Sequence, residues 1–369
     1  MADAPPGMAW WMTAGAGPRP LLEPVPIAWP QARSAAVGAA HRPAREVETE
    51  DADEMSPDLR TWLGHVELAN PVMTAAGCAG AGREIAQFFD ISRLGAVITK
   101  SVMLQPRAGG PAPRMTETPS GVLSAVGLQG PGIDVFLQRD LPWLLSRGGR
   151  AVVSIAGASP EEYADLASRL SAAPGVTMIE VNLSSPNPAD HGRHFVDDPS
   201  AAARVVAAVR GRARSDIPVF AKLSADVADL VGLATTCVEA GADGLSMINT
   251  VRGMAIDTSS MVPALAAGVG GVSGPAIRPV AVACVYDVHA ALPQVPLIGM
   301  GGVRTGVDVL EFLLAGAAAV AVGTVIFHDP SACARVVREF EEVLEQRGVR
   351  RVGDLIGAAH RRSGAAVRD

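Results

Sequence analysis

Eight short apolar segments, each separated from the next by at least one longer and more polar stretch, constrain the fold of this 369-residue chain most strongly. Their residues are apolar without alternation, as expected for parallel strands that are buried on both faces. The predicted strands are Val72–Ala76, Ala96–Thr99, Ala151–Ile155, Met178–Leu183, Val219–Leu223, Gly244–Ile248, Val295–Met300 and Ala318–Val322. The segments predicted as helices include Pro160–Ala172, Pro199–Arg214, Ala225–Ala240, Pro275–Ala291, Thr305–Ala315 and Pro330–Gln346.

Strands and helices that alternate in this number are typical of the α/β class and of the (β/α)8, or TIM, barrel. An open doubly wound sheet is the alternative, but it would need a G-x-G-x-x-G turn after the first strand. The residues there run from Gly77 to Gly82 as GCAGAG, which fits that pattern poorly. We predict a single-domain barrel over residues 57–350, a disordered Pro/Ala/Gly-rich extension over 1–56, and a C-terminal tail over 351–369.

Charge and cysteine usage exclude several classes of function. A formal net charge of −7 without a basic block argues against a nucleic-acid partner. No stretch reaches the roughly 18 unbroken apolar residues of a membrane span, and no basic segment leads into an apolar one as in a secretory signal. The four cysteines, Cys78, Cys237, Cys284 and Cys333, are dispersed. This spacing predicts no metal site, iron–sulfur cluster or disulfide framework, and it favours a cytoplasmic location.

Two lysines stand at the ends of predicted core strands. Lys100 follows the second strand and Lys222 interrupts the fifth. Lysine is seldom buried without an anionic partner, so a structural ion pair is one interpretation. The alternative is functional, because a fixed ammonium would stabilise the negative charge that reduced flavin carries near its N1–O2 edge. Two such lysines in one barrel favour the functional interpretation.

Glycine-rich turns follow the last two strands. The seventh ends in Gly301 and Gly302, and the eighth ends in Gly323 and Thr324. A glycine can simply cap or tighten a turn, but in barrels these two loops are the usual seat of a phosphate group. Glycine lets backbone N–H groups approach an anion closely. The pair of turns therefore predicts a phosphate site.

Short polar side chains follow the fourth and sixth strands. The fourth ends in a run from Asn182 to Asn187 that includes Ser184 and Ser185, and the sixth ends in Asn249 and Thr250. An ordinary Asx-turn accounts for any one of them. Together they offer the donors and acceptors that suit a planar heterocycle with carbonyl and N–H groups. The long connections after strands two and six, residues 101–132 and 250–274, leave the same end of the barrel and are also expected to be functional.

These motifs, in this order, resemble dihydroorotate dehydrogenase. The resemblance covers residues 63–348 and includes the segments Thr99–Ser101, Asn182–Asn187, Ala221–Ser224, Ile248–Thr250, Gly271–Ala276, Gly299–Gly302 and Val322–Thr324. Segments 120–132 and 253–257 are most similar to the class 1 subtype that works with a separate FAD and iron–sulfur electron-transfer subunit. The resemblance implies FMN as cofactor, that subunit as a possible partner, and dihydroorotate as substrate in pyrimidine synthesis. A homodimeric core is also predicted.

The resemblance also implies roles for individual residues. The flavin would be bound by Ala76, Lys100, Ser101, Ser154, Asn182, Lys222, Ile248, Gly274, Gly301, Gly302, Gly323 and Thr324. The substrate would contact Lys100, Ser124, Ala125, Val126, Gly127, Leu128, Asn182, Asn187, Asn249 and Thr250. Ser185 stands at the position of the catalytic base, which removes a proton from C5 while C6 delivers hydride to flavin N5; Lys100 is the second catalytic residue.

The chain departs from the class 1 pattern at four positions. Ser185 replaces a cysteine, Ser124 replaces a substrate-binding asparagine, and Ala76 and Ser154 replace a serine and an asparagine that face the flavin. A hydroxyl is a far weaker acid than a thiol of pKa about 8.5, so Ser185 would need a water or hydroxyl relay. Two alternatives follow: the substrate is another dihydropyrimidine or a cyclic enone, or the chain is an inactive flavin-binding paralogue.

Overall fold

The computed structural model describes residues 56–184 and 194–363. Its strands, in chain order, are β1 Thr61–Leu63, β2 Val66–Leu68, β3 Val72–Thr74, β4 Ala96–Ile98, β5 Met115–Thr118, β6 Gly121–Ser124, β7 Ala151–Ile155, β8 Val176–Asn182, β9 Val219–Leu223, β10 Gly244–Met247, β11 Val251–Met254, β12 Ile256–Asp257, β13 Val262–Pro263, β14 Val269–Ser273, β15 Leu297–Met300 and β16 Ala319–Val322. Its α-helices are α1 Ile133–Val135, α2 Leu141–Ser146, α3 Pro160–Ala172, α4 Pro199–Arg210, α5 Leu230–Glu239, α6 Arg278–Ala291, α7 Gly306–Ala315, α8 Ala332–Arg347 and α9 Ala358–Ser363.

Eight parallel strands close into a barrel in the order β3, β4, β7, β8, β9, β10, β15 and β16, after which β16 pairs with β3. Each of them lies within or across one of the eight predicted apolar segments, so the prediction of a (β/α)8 barrel is confirmed. The side chains of β3, β4, β7, β10 and β16 are buried throughout their length. Burial on both faces explains why these segments show no alternation.

The antiparallel hairpin β1–β2 closes the amino-terminal end of the barrel. Leu63 and Leu68 are fully buried and join one core cluster with Met178 and Phe220 of the barrel strands. The Thr61 hydroxyl donates a hydrogen bond of 2.7 Å to the carbonyl oxygen of Ala318, which immediately precedes β16. Side chains therefore fill the amino-terminal end of the barrel interior.

The long connections after the second and sixth barrel strands, residues 101–132 and 250–274, together form a sheet above the barrel mouth. Strands β5, β6, β14 and β11 pair side by side in an antiparallel arrangement. Both connections were expected at this end of the barrel, but no strands were predicted in them, so their regular pairing is a finding of the structure. These strands are short and only partly buried, so they lack the continuous apolar pattern that marked the barrel strands.

Helix boundaries follow local capping. Helix α3 begins after Ser159, whose hydroxyl accepts from the Glu162 N–H, and α4 begins after Asp198, whose carboxylate accepts from the Ser200 N–H. Both starts were predicted from proline at the first helical position. The predicted end of α4 at Arg214 was wrong. The helix ends at Arg210, whose guanidinium donates to the carbonyl oxygens of residues 213, 214 and 217 and stabilises a turn there instead.

Helix α5 also starts later than predicted. Ala225 was expected to begin it, but Asp229 is the cap and accepts from the Gly232 N–H. Upstream, the Asp226 carboxylate accepts from the Arg252 N–H at 2.7 Å, which ties the preceding residues to β11. This long-range hydrogen bond, which no local pattern shows, competes with the helix.

The structure describes only part of the predicted N-terminal extension and C-terminal tail. Of the predicted extension, residues 1–55 lie outside the described residues. In the segment predicted as a tail, a 3₁₀ turn at Val352–Asp354 and helix α9 are present, and a His360 ring nitrogen lies 3.0 Å from the Ala315 carbonyl oxygen at the end of α7. Over the described part of the chain, no helix combines the length and apolar character needed to cross a membrane.

Candidate active site

A cavity of about 490 Å³ opens at the carboxyl ends of the barrel strands, beneath the antiparallel sheet. This volume is within the range of about 300–1,000 Å³ that is usual for small-molecule sites. Of the residues predicted to bind flavin or substrate, the cavity is lined by Ala76, Lys100, Ser101, Ser124, Val126, Leu128, Asn182, Lys222, Ile248, Asn249, Thr250, Gly274, Gly301, Gly302, Gly323 and Thr324. The fold therefore brings into one place residues that the sequence spreads from the first strand to the last.

Three predicted residues do not line the cavity, and two lie outside the described residues. Ser154, Ala125 and Gly127 do not line the cavity. Ser154 is fully buried, and its hydroxyl oxygen lies 2.9 Å from that of Ser101, so its contact with the site is indirect. Ser185 and Asn187 lie outside the described residues, and their roles stay predictions.

A hydrogen-bonded chain fixes the two amide side chains of the site. The Ser184 N–H donates to Asn182 Oδ1 at 3.2 Å, and the Thr250 N–H donates to Asn249 Oδ1 at 2.8 Å. Because a backbone N–H can only donate, these contacts assign the amide oxygens. Asn249 Nδ2 then donates to Asn182 Oδ1 at 3.3 Å, and Asn182 Nδ2 donates to Ser101 Oγ at 3.2 Å. Among the described residues, one N–H of each amide has no acceptor and is available to a ligand.

The two lysines have different surroundings. Lys222 is buried, and its Nζ lies 3.5 Å from Oε1 of Glu180 on the adjacent strand β8. Lys100 is half-buried and forms no ion pair with a described carboxylate. Burial, and then the guanidinium of Arg114, lower the pKa of Lys100 below its ordinary value. The structural and the functional interpretation of Lys222 are thus compatible, because it has an ion-pair partner and also lines the cavity.

The glycine turns form a cradle with free amide groups. In the described residues, the N–H groups of Gly301, Gly302, Gly323 and Thr324 donate no hydrogen bond. Gly301 and Gly302 have φ values of 135° and 72°, which disfavour other residues. A Cβ on Gly302 would lie 2.8 Å from the Gly274 carbonyl oxygen. Four N–H groups without a described acceptor, two of them on glycines with positive φ, suit the oxygens of a phosphate.

Cavity residues that the sequence analysis missed include Arg114, Gln129 and Cys78. Arg114 Nη2 donates to Gln129 Oε1 at 2.7 Å, which holds the guanidinium beside the cavity. The position of Arg114 in the long connection after the second strand was the one indication that it belongs to the site. That connection contains other polar residues, so its position alone did not single out Arg114. Burial raises the pKa of the Cys78 thiol to about 11, against the opposing effect of Lys222 and Lys100. Burial therefore disfavours the thiolate form of Cys78.

Comparison with known proteins gives a consistent result. The family model described as dihydroorotate dehydrogenase matches residues 58–344. A protein of Pelobacter propionicus named dihydroorotate dehydrogenase B (NAD(+)), catalytic subunit, is 49% identical over 304 residues, which are 82% of this chain and 99% of that protein. A protein of the same name from Anoxybacillus flavithermus is 45% identical over 299 residues, 81% of this chain and 95% of the relative.

A solved structure supports the fold independently. The crystal structure of an Eimeria tenella protein, titled DHODH in complex with ferulenol, superposes with a TM-score of 0.70 at 24% sequence identity. The match covers 84% of this chain and 91% of that one. At this level of identity the likeness concerns the fold alone.

Proposed function

This chain belongs to the dihydroorotate dehydrogenase family and oxidises dihydroorotate in pyrimidine biosynthesis; we propose that it does so with FMN, bound in the cavity at the barrel mouth. The charge of the cavity wall is the observation that carries the choice of cofactor. Lys100, Lys222 and Arg114 line it, and among the described residues no aspartate or glutamate does. A phosphorylated flavin that gains negative charge on reduction matches such a wall.

The glycine cradle supports FMN over an unphosphorylated flavin. The phosphate of FMN would be held by backbone N–H groups that donate to no described acceptor, those of Gly301, Gly302, Gly323 and Thr324. Lys222 would lie beside the part of the ring system that becomes anionic, and Ser101 and Asn182 would hydrogen-bond to ring carbonyl or N–H groups. When bound, FMN supplies a two-electron acceptor. The other steps belong to side chains of this chain.

We propose that Lys100, Asn249 and Thr250 orient the substrate while Ser185 removes the proton from C5. Lys100 is a cation without a described carboxylate partner, which suits the carboxylate of dihydroorotate. A serine hydroxyl needs an acceptor for its own proton, and the hydroxyl of Thr250 at the cavity wall is a candidate for such a relay. The amides of Asn182 and Asn249, already fixed by backbone donors, would select the pyrimidine ring by its carbonyl and N–H groups.

We further propose that electrons leave to NAD through a separate subunit that carries FAD and an iron–sulfur cluster. The relatives are named as NAD(+) catalytic subunits. The four cysteines of this chain are dispersed without a C-x-x-C pair, so a cluster would belong to the partner. The homodimeric core stays a prediction.

Anaerobic titration of the purified flavoprotein with dihydroorotate tests the function. We expect stoichiometric bleaching of the flavin absorbance, with orotate as product, and reduction of NAD only after the partner subunit is added. Flavin that stays oxidised with dihydroorotate but is bleached by another dihydropyrimidine or a cyclic enone would show that the substrate is different. Flavin that none of these compounds bleaches would favour the inactive paralogue.

A further inference from the structure

The carboxylate of Glu180 is buried inside the barrel and accepts no hydrogen bond from the described part of the chain. Its side chain is 0% exposed, and neither carboxylate oxygen accepts from any described residue. Buried polar atoms nearly always have a partner, because a buried and unpaired charge is costly. Glu180 lies two residues after Met178, which belongs to the core cluster inside the barrel, so it projects to the same inner face. The presence of a carboxylic acid at this buried position therefore needs a physical explanation.

The ammonium of Lys222 supplies that reason. It lies 3.5 Å from Oε1 of Glu180, and the Lys222 side chain is only 6% exposed. Glu180 is the only described carboxylate within 4.0 Å of it. Lys222 lines the cavity, whereas Glu180 does not. The carboxylate therefore lies behind the lysine, away from the ligand, and compensates its charge from within the barrel.

None of the other charged or titratable side chains that line the cavity, among the described residues, supplies a negative charge. Lys100 and Arg114 are cations on the same wall. Cys78, which interacts with both lysines, is neutral because burial raises its pKa to about 11. Ser246, paired with Lys222 in the adjacent strand β10, contributes a hydroxyl but no charge. Without Glu180, the Lys222 ammonium would be a buried charge with no described carboxylate within 4.0 Å.

We propose that Glu180 is a positioning residue that keeps Lys222 charged while the flavin is oxidised, so that flavin reduction takes up one proton rather than two. This inference rests on the proposed FMN site. Two electrons and one proton convert oxidised FMN into the anionic reduced form, whose charge then lies beside an ammonium that is already present. If Lys222 were neutral beforehand, the same two electrons would draw a second proton, onto Lys222.

The change of the flavin midpoint potential with pH gives the number of protons taken up on reduction. For a two-electron couple, a tenfold change in equilibrium constant corresponds to 29.6 mV. One proton therefore gives a fall of about 30 mV per pH unit, and two protons give about 59 mV. We expect the wild-type protein, measured by spectroelectrochemistry between pH 6 and pH 8, to show the one-proton slope. Glu180→Gln, of nearly equal volume, should show the two-proton slope.

Two further variants assign the effect to the ion pair. Adding Glu180→Gln to Lys222→Met should not change the slope further, because without Lys222 the carboxylate has no ammonium to keep charged. Asp140→Asn removes another buried carboxylate, one that is paired with Arg139 and lies off this cavity. It should leave the slope unchanged.

A one-proton slope in Glu180→Gln, or a two-proton slope in the wild-type protein, would overturn the inference. Even if Glu180→Gln does not fold, a two-proton slope in the wild-type protein would overturn the inference. Wild-type protein that binds no FMN would contradict the proposed function instead. A wild-type protein that is bleached by dihydroorotate but has the two-proton slope would contradict this inference alone.

Discussion

Lys100 and Lys222 both line the cavity, but only Lys222 has a described carboxylate within 4.0 Å. The sequence places each lysine at the end of an apolar strand and gives no sign of this difference. It arises because β8 and β9 are neighbours in the barrel, which puts Glu180 beside Lys222. Residue type and strand position thus predicted that both lysines belong to the site, whereas their distinct charge environments depend on strand order.

Lys100 gives a prediction about pH. Its ammonium binds an anionic ligand only while protonated, and burial lowers its pKa from the ordinary value of about 10.4. Orotate affinity should therefore be full at neutral pH and fall as pH rises, starting at a lower pH than for an ordinary lysine. The dissociation constant can be measured from flavin absorbance changes between pH 7 and pH 10. Lys100→Arg should keep its affinity to higher pH, and identical profiles for the two proteins would contradict the assignment.

Ser185 gives a prediction about catalysis. Ser185→Ala should lower kcat by about 10²–10⁴-fold, the usual contribution of general base catalysis, while FMN stays bound. Stopped-flow measurement of flavin reduction isolates this step. Ser184→Ala is the matched control, because it removes the adjacent hydroxyl, which is buried and has no hydrogen-bond partner in the described residues. Equal losses in the two variants would show that Ser185 is not the base.

At the scale of elements, the turn after β15 gives a prediction about the phosphate. Gly302→Ala should weaken FMN binding at least about tenfold, because a Cβ would meet the Gly274 carbonyl oxygen and the positive φ would be strained. Riboflavin affinity should change less. Gly268→Ala is the control, with φ 75° and only one side-chain atom, at 3.8 Å, near the added Cβ. Isothermal titration that shows equal FMN loss in both variants would refute a phosphate cradle.

The strands of the barrel were predictable, and the strands above it were not. A strand that is buried on both faces has an unbroken run of apolar residues in the sequence. Each barrel strand was therefore located to within about two residues. Strands β5 and β14 are only partly buried and are stabilised by pairing with β6, which is distant from β14 in the chain. Such long-range pairing leaves no local period. The late start of α5, caused by the hydrogen bond between Asp226 and Arg252, has the same origin.

At the scale of the whole molecule, closure of the barrel decides which residues meet. Ala76 follows the first barrel strand and Gly323 follows the last, and they line one cavity because β16 pairs with β3. The order of motifs along the chain was enough to predict most of the cavity wall. It did not predict Arg114, which reaches the cavity from the sheet above, or the indirect position of Ser154 behind Ser101. Those depend on side-chain packing between elements.

Comparing the binding of FMN and riboflavin by the refolded apoprotein tests most directly whether this barrel mouth holds a phosphorylated flavin. A hydrogen bond to a charged group contributes about 1.5–3 kcal/mol, and every 1.4 kcal/mol is tenfold in affinity. We predict that FMN binds at least about 100-fold more tightly than riboflavin. We also predict that FMN at 100 times its dissociation constant stabilises the fold by about 2.7 kcal/mol in thermal unfolding. Equal affinity for the two flavins, or retention of neither, would contradict the account.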